Sequence, residues 1–338
     1  MLPERDLTRP MASSVASPSA ERAARTGGVS VVIVNWNGGE DLAECVATLR
    51  RDGGGRVDEV VVVDNGSVDD SLERLGSPSG VTIVRAGRNL GFAAGVNLGA
   101  RRCGGGLLLL LNPDVRVLPG AIDAAAEHLE SHPDVGIVGP VLVDGRGRWQ
   151  PSAGRLGAIG HLLLDTRLVR RPIRRTRDVG WIHGAFLLVP RRLFDAVGGL
   201  DEAYFMYGED IDLCARARAA GYRTVVVAGA RAVHYGNRSG AIRWGEARDA
   251  EVVKGEMRFY AWAGRWWELA AFRVVAGLKY ALKCALQALI GDRAAARRSW
   301  RMASACASFV PGPRARRPPA GRGEADQAGA EWRSARPR

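Results

Sequence analysis

Short apolar runs separated by turn residues fill the first two thirds of the chain. Residues 29–34 (VSVVIV) are almost all β-branched, which predicts a strand buried on both faces and therefore parallel to its neighbours. From 38 to 51 the apolar residues change to helical spacing, with Leu42, Val46 and Leu49 on one side. A second buried strand is expected over 57–63, closed by Asp64-Asn65-Gly66-Ser67. A short helix follows over 67–75, with Asp69 and Asp70 in its first turn, where the helix dipole favours acids. The pattern then predicts a strand at 81–85, a Gly/Ala-rich helix at 91–102, a strand at 107–111, a helix at 118–130 and a strand at 135–141. Residues 146–178 are polar and Arg-rich and predict loops around a short helix. A strand at 179–189, a helix at 210–220 stopped by Gly221, and a strand at 224–227 complete the series.

Strands alternating with helices at this spacing predict an α/β fold with a mainly parallel sheet flanked by helices. Ligands in such sheets bind beyond the carboxyl ends of the strands. Asn35, Asp64 and Asn112 all fall at such ends, which points to one shared site.

Charge changes the picture only near the C-terminus. The chain of 338 residues has a net charge of +12. From Lys254 onward it holds 17 Lys/Arg against 6 Asp/Glu, so that segment carries +11 and the rest is balanced. Such asymmetry suggests an anionic surface, either nucleic acid or lipid headgroups, against the plainer reading of a solvated basic tail. No nucleic-acid recognition motif accompanies it, and nucleic acid is not expected as a partner. Within 271–290, Arg273, Lys279, Lys283 and Gln287 share one arc of a helix and Leu, Val, Ile and Ala occupy the other, with Trp262, Trp266 and Trp267 just upstream. This suits a basic amphipathic helix at an anionic membrane surface; packing against the catalytic domain is the alternative. No run of about 18 apolar residues suggests a spanning helix. The five cysteines are odd in number and lack CxxC spacing, as expected of reduced thiols in a cytoplasmic protein. The expected organisation is a disordered leader over 1–27, an α/β domain over 28–253, a basic helical extension over 254–310 and a disordered tail over 311–338.

Four clusters carry candidate chemistry. Asp64-Asn65 could hydrogen-bond a base edge and a ribose, or form an Asx-turn. In Asn112-Pro113-Asp114 the two polar side chains project to the same side of an extended chain, and a carboxylate there could hold Mg²⁺ or Mn²⁺ against a diphosphate; a plain turn is the alternative. Glu209, Asp210 and Asp212 crowd three carboxylates at a helix start, which raises at least one pKa and suits a general base, whereas N-capping accounts for one of them. His234 stands at a strand end before a Gly/Ser-containing loop and reads equally as a ligand or a structural residue.

Taken in order, VSVVIVNWN (29–37), VVVDNGS (61–67), RNLGFAAGVN (88–97), LLNPDV (110–115), Gly184-Ala185, GEDIDL (208–213) and His234 resemble the inverting family 2 glycosyltransferases, of the branch that includes rhamnosyl- and galactofuranosyltransferases. The resemblance covers residues 29 to about 240. It implies a GT-A fold, a nucleotide-sugar donor, a glycan or lipid-linked glycan acceptor in cell-envelope polysaccharide synthesis, and a divalent metal. Rhamnose is the first expectation for the sugar. It further implies that Val34, Asn35, Asp64 and Asn65 line the nucleoside pocket and that Asn89, Gly91 and Asn97 belong to the segment closing over the donor. Asn112 and Asp114 take the place of the family's DXD motif, with Asn for the first acid, so Asp114 becomes the main metal ligand with His234 assisting. Asp210 is the implied base and Glu209 its competitor. Trp181, His183 and Tyr207 are candidates to border the acceptor, where Trp181 could stack on a sugar ring or equally pack in the core. A lipid-linked acceptor implies a peripheral location on the inner face of the cytoplasmic membrane.

Overall fold

The computed structural model describes residues 28–156, 172–236, 243 and 245–312. The expected leader, most of the expected tail and the short helix expected within 146–178 lie outside these residues, apart from the fringes of that loop region.

The sheet is built outward from two of the most apolar segments. β1 (Val29–Asn35) and β4 (Leu107–Leu111, all leucine) are buried along their whole length and pair in parallel. β2 (Val57–Asp64) and β3 (Val81–Arg85) extend the sheet on the β1 side, also in parallel. On the β4 side the sheet becomes mixed. β10 (Phe186–Pro190) runs antiparallel to β4 and to β6 (Val135–Val143), and β11 (Arg223–His234) runs parallel to β6. β5 (Val115–Val117) and β8 (Arg177–Val179) pair antiparallel with β11, giving the order β3-β2-β1-β4-β10-β6-β11-β5 with β8 also on β11. The parallel half is the one expected; β10 enters antiparallel after the chain beyond β6 has formed a separate two-stranded antiparallel pair, β7 (Ala153–Gly154) with β9 (Trp181–Ile182).

Alternate side chains of the strands form two cores. Val31, Ile33, Leu109 and Leu111 face α1 (Glu40–Asp52) and α4 (Ala121–Ser131), whose Leu42, Val46, Ile122 and Leu129 cover them. Val32, Val34, Leu108 and Leu110 face α3 (Phe92–Ala100), α5 (Arg191–Ala196) and α6 (Glu209–Ala219). α2 (Ser71–Leu75) closes the edge beside β2. It starts later than expected, because residues 67–70 form the turn that receives the Asn35 side chain.

Two strands depart from their expected limits in ways that shape the site. The single strand expected over 179–189 breaks at His183-Gly184-Ala185, since β9 pairs with β7 while β10 enters the main sheet. β11 runs past Val227 through a register shift between Val227 and Arg231, and its last residues pair with β5, placing His234 opposite Val115. The Ala228-Gly229-Ala230 stretch ends the apolar run in the sequence but only bends the strand.

The C-terminal helices α7 (Arg248–Trp262), α8 (Trp266–Leu289) and α9 (Arg293–Ser308) form a third core around Met257, Tyr260, Phe272 and Cys306, joined to α6 through Ile211 and Ala215. The boundary expected between 253 and 254 therefore falls inside α7.

Candidate active site

The carboxyl ends of β1, β2 and β4, the start of α6 and one side of α7 form the walls of an open cleft with a cavity of about 180 Å³. Of the expected site residues, Val34, Asn65, Asn89, Gly91, Asn112, Asp114, Trp181, His183, Tyr207, Glu209 and Asp210 line it. Asn35, Asp64, Asn97 and His234 do not, and each has a different reason.

Asn35 is fully buried and spends its amide on Ser67 Oγ (3.0 Å), Ser71 Oγ (2.9 Å) and Asp64 Oδ1 (3.5 Å). Asp64 accepts from the Ser67 backbone N–H at 3.4 Å. These two residues shape the turn that carries Asn65. Asn65 in turn donates to the Gly91 carbonyl at 2.9 Å and accepts from the Leu90 N–H at 3.4 Å, holding the 89–91 loop against the cleft. Gly91 has φ of 88°, and a Cβ there would lie 2.4 Å from the Phe205 carbonyl oxygen, so the loop tolerates no side chain at that point. Asn97, expected to touch the donor, points away instead. It donates to the Leu200 carbonyl (2.8 Å) and Glu202 (2.9 Å) and accepts from the Leu200 N–H (2.9 Å), pinning α3 to the loop before α6.

His234 sits behind Asp114. Its Nδ1 lies 3.2 Å from Gln150 Oε1, and the Gln150 amide donates to the His234 carbonyl at 2.8 Å. With the proton on Nδ1, the Nε2 lone pair faces Asp114 Oδ1 at 3.5 Å. That nitrogen is buried and has no hydrogen-bond partner. A basic nitrogen and a carboxylate oxygen facing each other in a buried place form a donor set suited to a divalent cation. Among the described residues no group of three or more His, Cys, Asp or Glu is placed to hold a metal ion, so a cation here would need further ligands from a bound diphosphate.

At the start of α6 the three acids separate by environment. Asp212 pairs with Arg216 at 2.7 Å, and Arg216 also donates to the Gly199 carbonyl at 2.8 Å; this acid is structural. Asp210 is held by two backbone N–H groups, Gly184 to Oδ2 and Ile211 to Oδ1, both at 2.8 Å. The break between β9 and β10 is what frees the Gly184 N–H for this role. Glu209 is buried with Oε2 unpartnered. Burial, reinforced by the charges of Asp210 and Asp212, pushes its pKa well above the usual carboxylate range. His183 accepts from the Ala185 N–H on Nδ1 at 3.2 Å, which leaves its proton on Nε2. Burial lowers its pKa, a shift that Asp210 opposes and His234 reinforces.

Trp36, Phe92, Met206 and, above all, Val252 and Glu256 of α7 line the cleft without having been anticipated from the sequence, Glu256 from within the expected extension; Gln150, also unanticipated, acts through His234. The contact that brings α7 in is a close one. Tyr207 and Gly208 have φ of 73° and 98°, and a Cβ on Gly255 would lie 2.5 Å from the Tyr207 carbonyl oxygen. Gly255 stands in the middle of α7, where only the absence of a side chain permits such an approach.

Comparison with known proteins identifies the family and the fold. The sequence profile described as "Glycosyl transferase family 2" matches residues 30–198. The N-acetylglucosaminyl-diphospho-decaprenol L-rhamnosyltransferase of Mycobacterium tuberculosis (strain CDC 1551 / Oshkosh) is 33% identical over 231 residues, covering 61% of this chain and 75% of that protein. Rhamnosyltransferase WbbL of Escherichia coli (strain K12) is 40% identical over 85 residues, 23% of this chain and 32% of that protein. Among solved structures, GalNAc-T7 with UDP, GalNAc and Mn²⁺ superposes with a TM-score of 0.55 at 17% identity, covering 70% of this chain and 48% of that one, a likeness of fold. With the expected GT-A architecture in place and the profile spanning residues 30–198, the chain belongs to glycosyl transferase family 2.

Proposed function

We propose that this protein transfers a rhamnosyl group, with inversion, from a nucleoside-diphosphate sugar to a hydroxyl of a polyprenyl-diphosphate-linked glycan in cell-envelope polysaccharide synthesis. The observation that carries the reading is that Asp114, backed by His234 at 3.5 Å, and Asp210 come from three segments far apart in the chain while Asp114 and Asp210 line one cleft. The rhamnosyl transfer named for both relatives supports the sugar, and the decaprenol-linked acceptor named for the mycobacterial one supports the lipid-linked acceptor.

Asp114 and His234 would hold Mg²⁺ or Mn²⁺, which would offset the negative charge that grows on the leaving diphosphate. Asp210, fixed by its two N–H donors, accepts the proton of the acceptor hydroxyl as that oxygen attacks the anomeric carbon from the face opposite the diphosphate. Glu209 keeps its own proton and is not the base. His183, neutral, offers Nε2–H as a donor within the cleft. Trp181 and Tyr207 flank the acceptor side, where the indole face can cover a sugar ring. An acceptor anchored in lipid places the enzyme at the inner face of the cytoplasmic membrane.

Asp210→Asn and Asp114→Asn should each lower transfer by about 10²–10⁴-fold with the melting temperature nearly unchanged. Full turnover in both variants refutes the assignment. The donor is identified by a thermal-shift panel of nucleotide sugars with Mn²⁺, since a ligand at 100 times its Kd stabilises by about 2.7 kcal/mol.

A further inference from the structure

α8 turns its apolar side outward. Trp267, Val274, Leu278, Leu282 and Leu289 recur at helical spacing, with Ala270, Ala281 and Ala285 between them, so they form one continuous stripe. Their exposures are 87%, 60%, 69%, 63% and 83%. Part of the polar arc faces the protein instead: Arg273 donates to the Cys306 (2.9 Å) and Ala307 (2.6 Å) carbonyls, and Gln287 meets Ser299 Oγ at 2.7 Å. Leu269, Phe272 and Ala276 fill the rest of that inward side. The helix therefore packs on the domain and still presents an uncovered apolar face.

Charge selects what covers it. Residues 266–308 carry seven Lys/Arg and two acids. Both acids are committed: Glu268 pairs with Arg265 at 2.6 Å, and Asp292 caps α9 by accepting from the Ala295 N–H at 2.9 Å. A second copy of the chain would bring one positive hairpin against another. The segment 313–338 is itself basic and has Trp332 as its single large apolar residue, too little to fill the stripe. Lys283, Arg293, Arg297 and Arg298 are exposed beside the end of the stripe, and Trp266 and Trp300 are 60% and 61% exposed. Apolar surface rimmed by cations and tryptophans matches the boundary between lipid headgroups and acyl chains. At 24 residues α8 is about 36 Å long, yet no described helix is long and apolar enough to cross a membrane, so it would lie in the plane.

We infer that the outward apolar face of α8, flanked by the cationic side chains of the α8–α9 turn, inserts in-plane into the surface of an anionic lipid bilayer. Because α7 both lines the cleft and packs on α8 and α9, the inserted hairpin holds the cleft one helix away from the lipid. The inference rests on the lipid-linked acceptor for its purpose but not for its geometry.

The test is flotation of the full chain with phosphatidylcholine–phosphatidylglycerol vesicles and with phosphatidylcholine alone, at low and physiological salt. The unmodified chain should float with the anionic vesicles and far less with the neutral ones. L278E/L282E should weaken partitioning by at least about tenfold per residue. K283Q/R297Q should weaken it about fivefold per residue, and only on anionic vesicles. Both variants should keep their thermal melts and their transfer to a short-chain soluble acceptor, so a failure of flotation stands apart from a failure of the glycosyltransferase reading. The inference is overturned if the unmodified chain stays free of anionic vesicles at low salt, or floats only after removal of 313–338. It is also overturned if L278E/L282E floats as well as the unmodified chain, or if that variant splits a dimer seen by light scattering.

Discussion

Replacing Glu209 with glutamine separates two neighbouring carboxylates by their protonation. Glu209 is buried beside Asp210 with one carboxyl oxygen unpartnered, and its pKa is raised by that burial and by the adjacent acids. In the unfolded chain a glutamate loses its proton near pH ~4.3, whereas the folded chain retains it well beyond. Across that window the folded state binds one proton more than the unfolded state, so stability falls as pH rises, by up to about 1.4 kcal/mol per pH unit. The contribution is fully present below the unfolded value and is lost on approaching the folded one. Glutamine cannot titrate. The difference in melting temperature between Glu209→Gln and the unmodified chain should therefore grow with pH by up to about 2 °C per unit, on a pH-independent offset set by fitting the amide. The assay is a differential scanning fluorimetry series from acid to mildly alkaline pH, paired with turnover. Because Asp210 and not Glu209 is assigned the proton transfer, Glu209→Gln should keep transfer within about tenfold while Asp210→Asn loses 10²-fold or more. A flat melting difference across pH, or loss of transfer in Glu209→Gln equal to that in Asp210→Asn, refutes the reasoning.

Three further outcomes test the site. Gln150→Leu frees the His234 ring and should weaken the Mn²⁺ dependence of activity by about 10–100-fold without altering the fold, read from metal titrations of turnover. Asn97→Ala leaves buried backbone groups at Leu200 unpaired and should cost about 1–3 kcal/mol by denaturant unfolding, with the donor KM unchanged; a raised KM at full stability would restore Asn97 to donor binding. Gly255→Ala forces a methyl group against the Tyr207 carbonyl and should lower kcat through the 207–210 turn while costing about 1–3 kcal/mol, measured by steady-state kinetics beside a thermal melt.

The alternation of apolar runs and helical spacing was enough to place β1 to β4, α1, α3 and α4 within a few residues, and to put polar residues at the strand ends. Those are consequences of local periodicity, which determines the face a side chain takes and the class of fold that can bury it. The cleft itself was decided by contacts between residues far apart in the chain. Asn97 and Asn89 look alike in sequence, yet Leu200 claims the first and the cleft receives the second. His234 reaches Asp114 only because β11 continues through a bend to pair with β5, and Gln150 then sets its ring. Val252 and Glu256 enter the cleft because Gly255 lets α7 touch the Tyr207 carbonyl. The same holds for α8: sequence established that one side is apolar, but whether that side faces inward or outward depended on Arg273 finding carbonyl partners at the end of α9. Periodicity is a property of neighbours along the chain; burial and hydrogen-bond partnership are properties of the packed whole, because a buried polar group must find its partner wherever the fold supplies one.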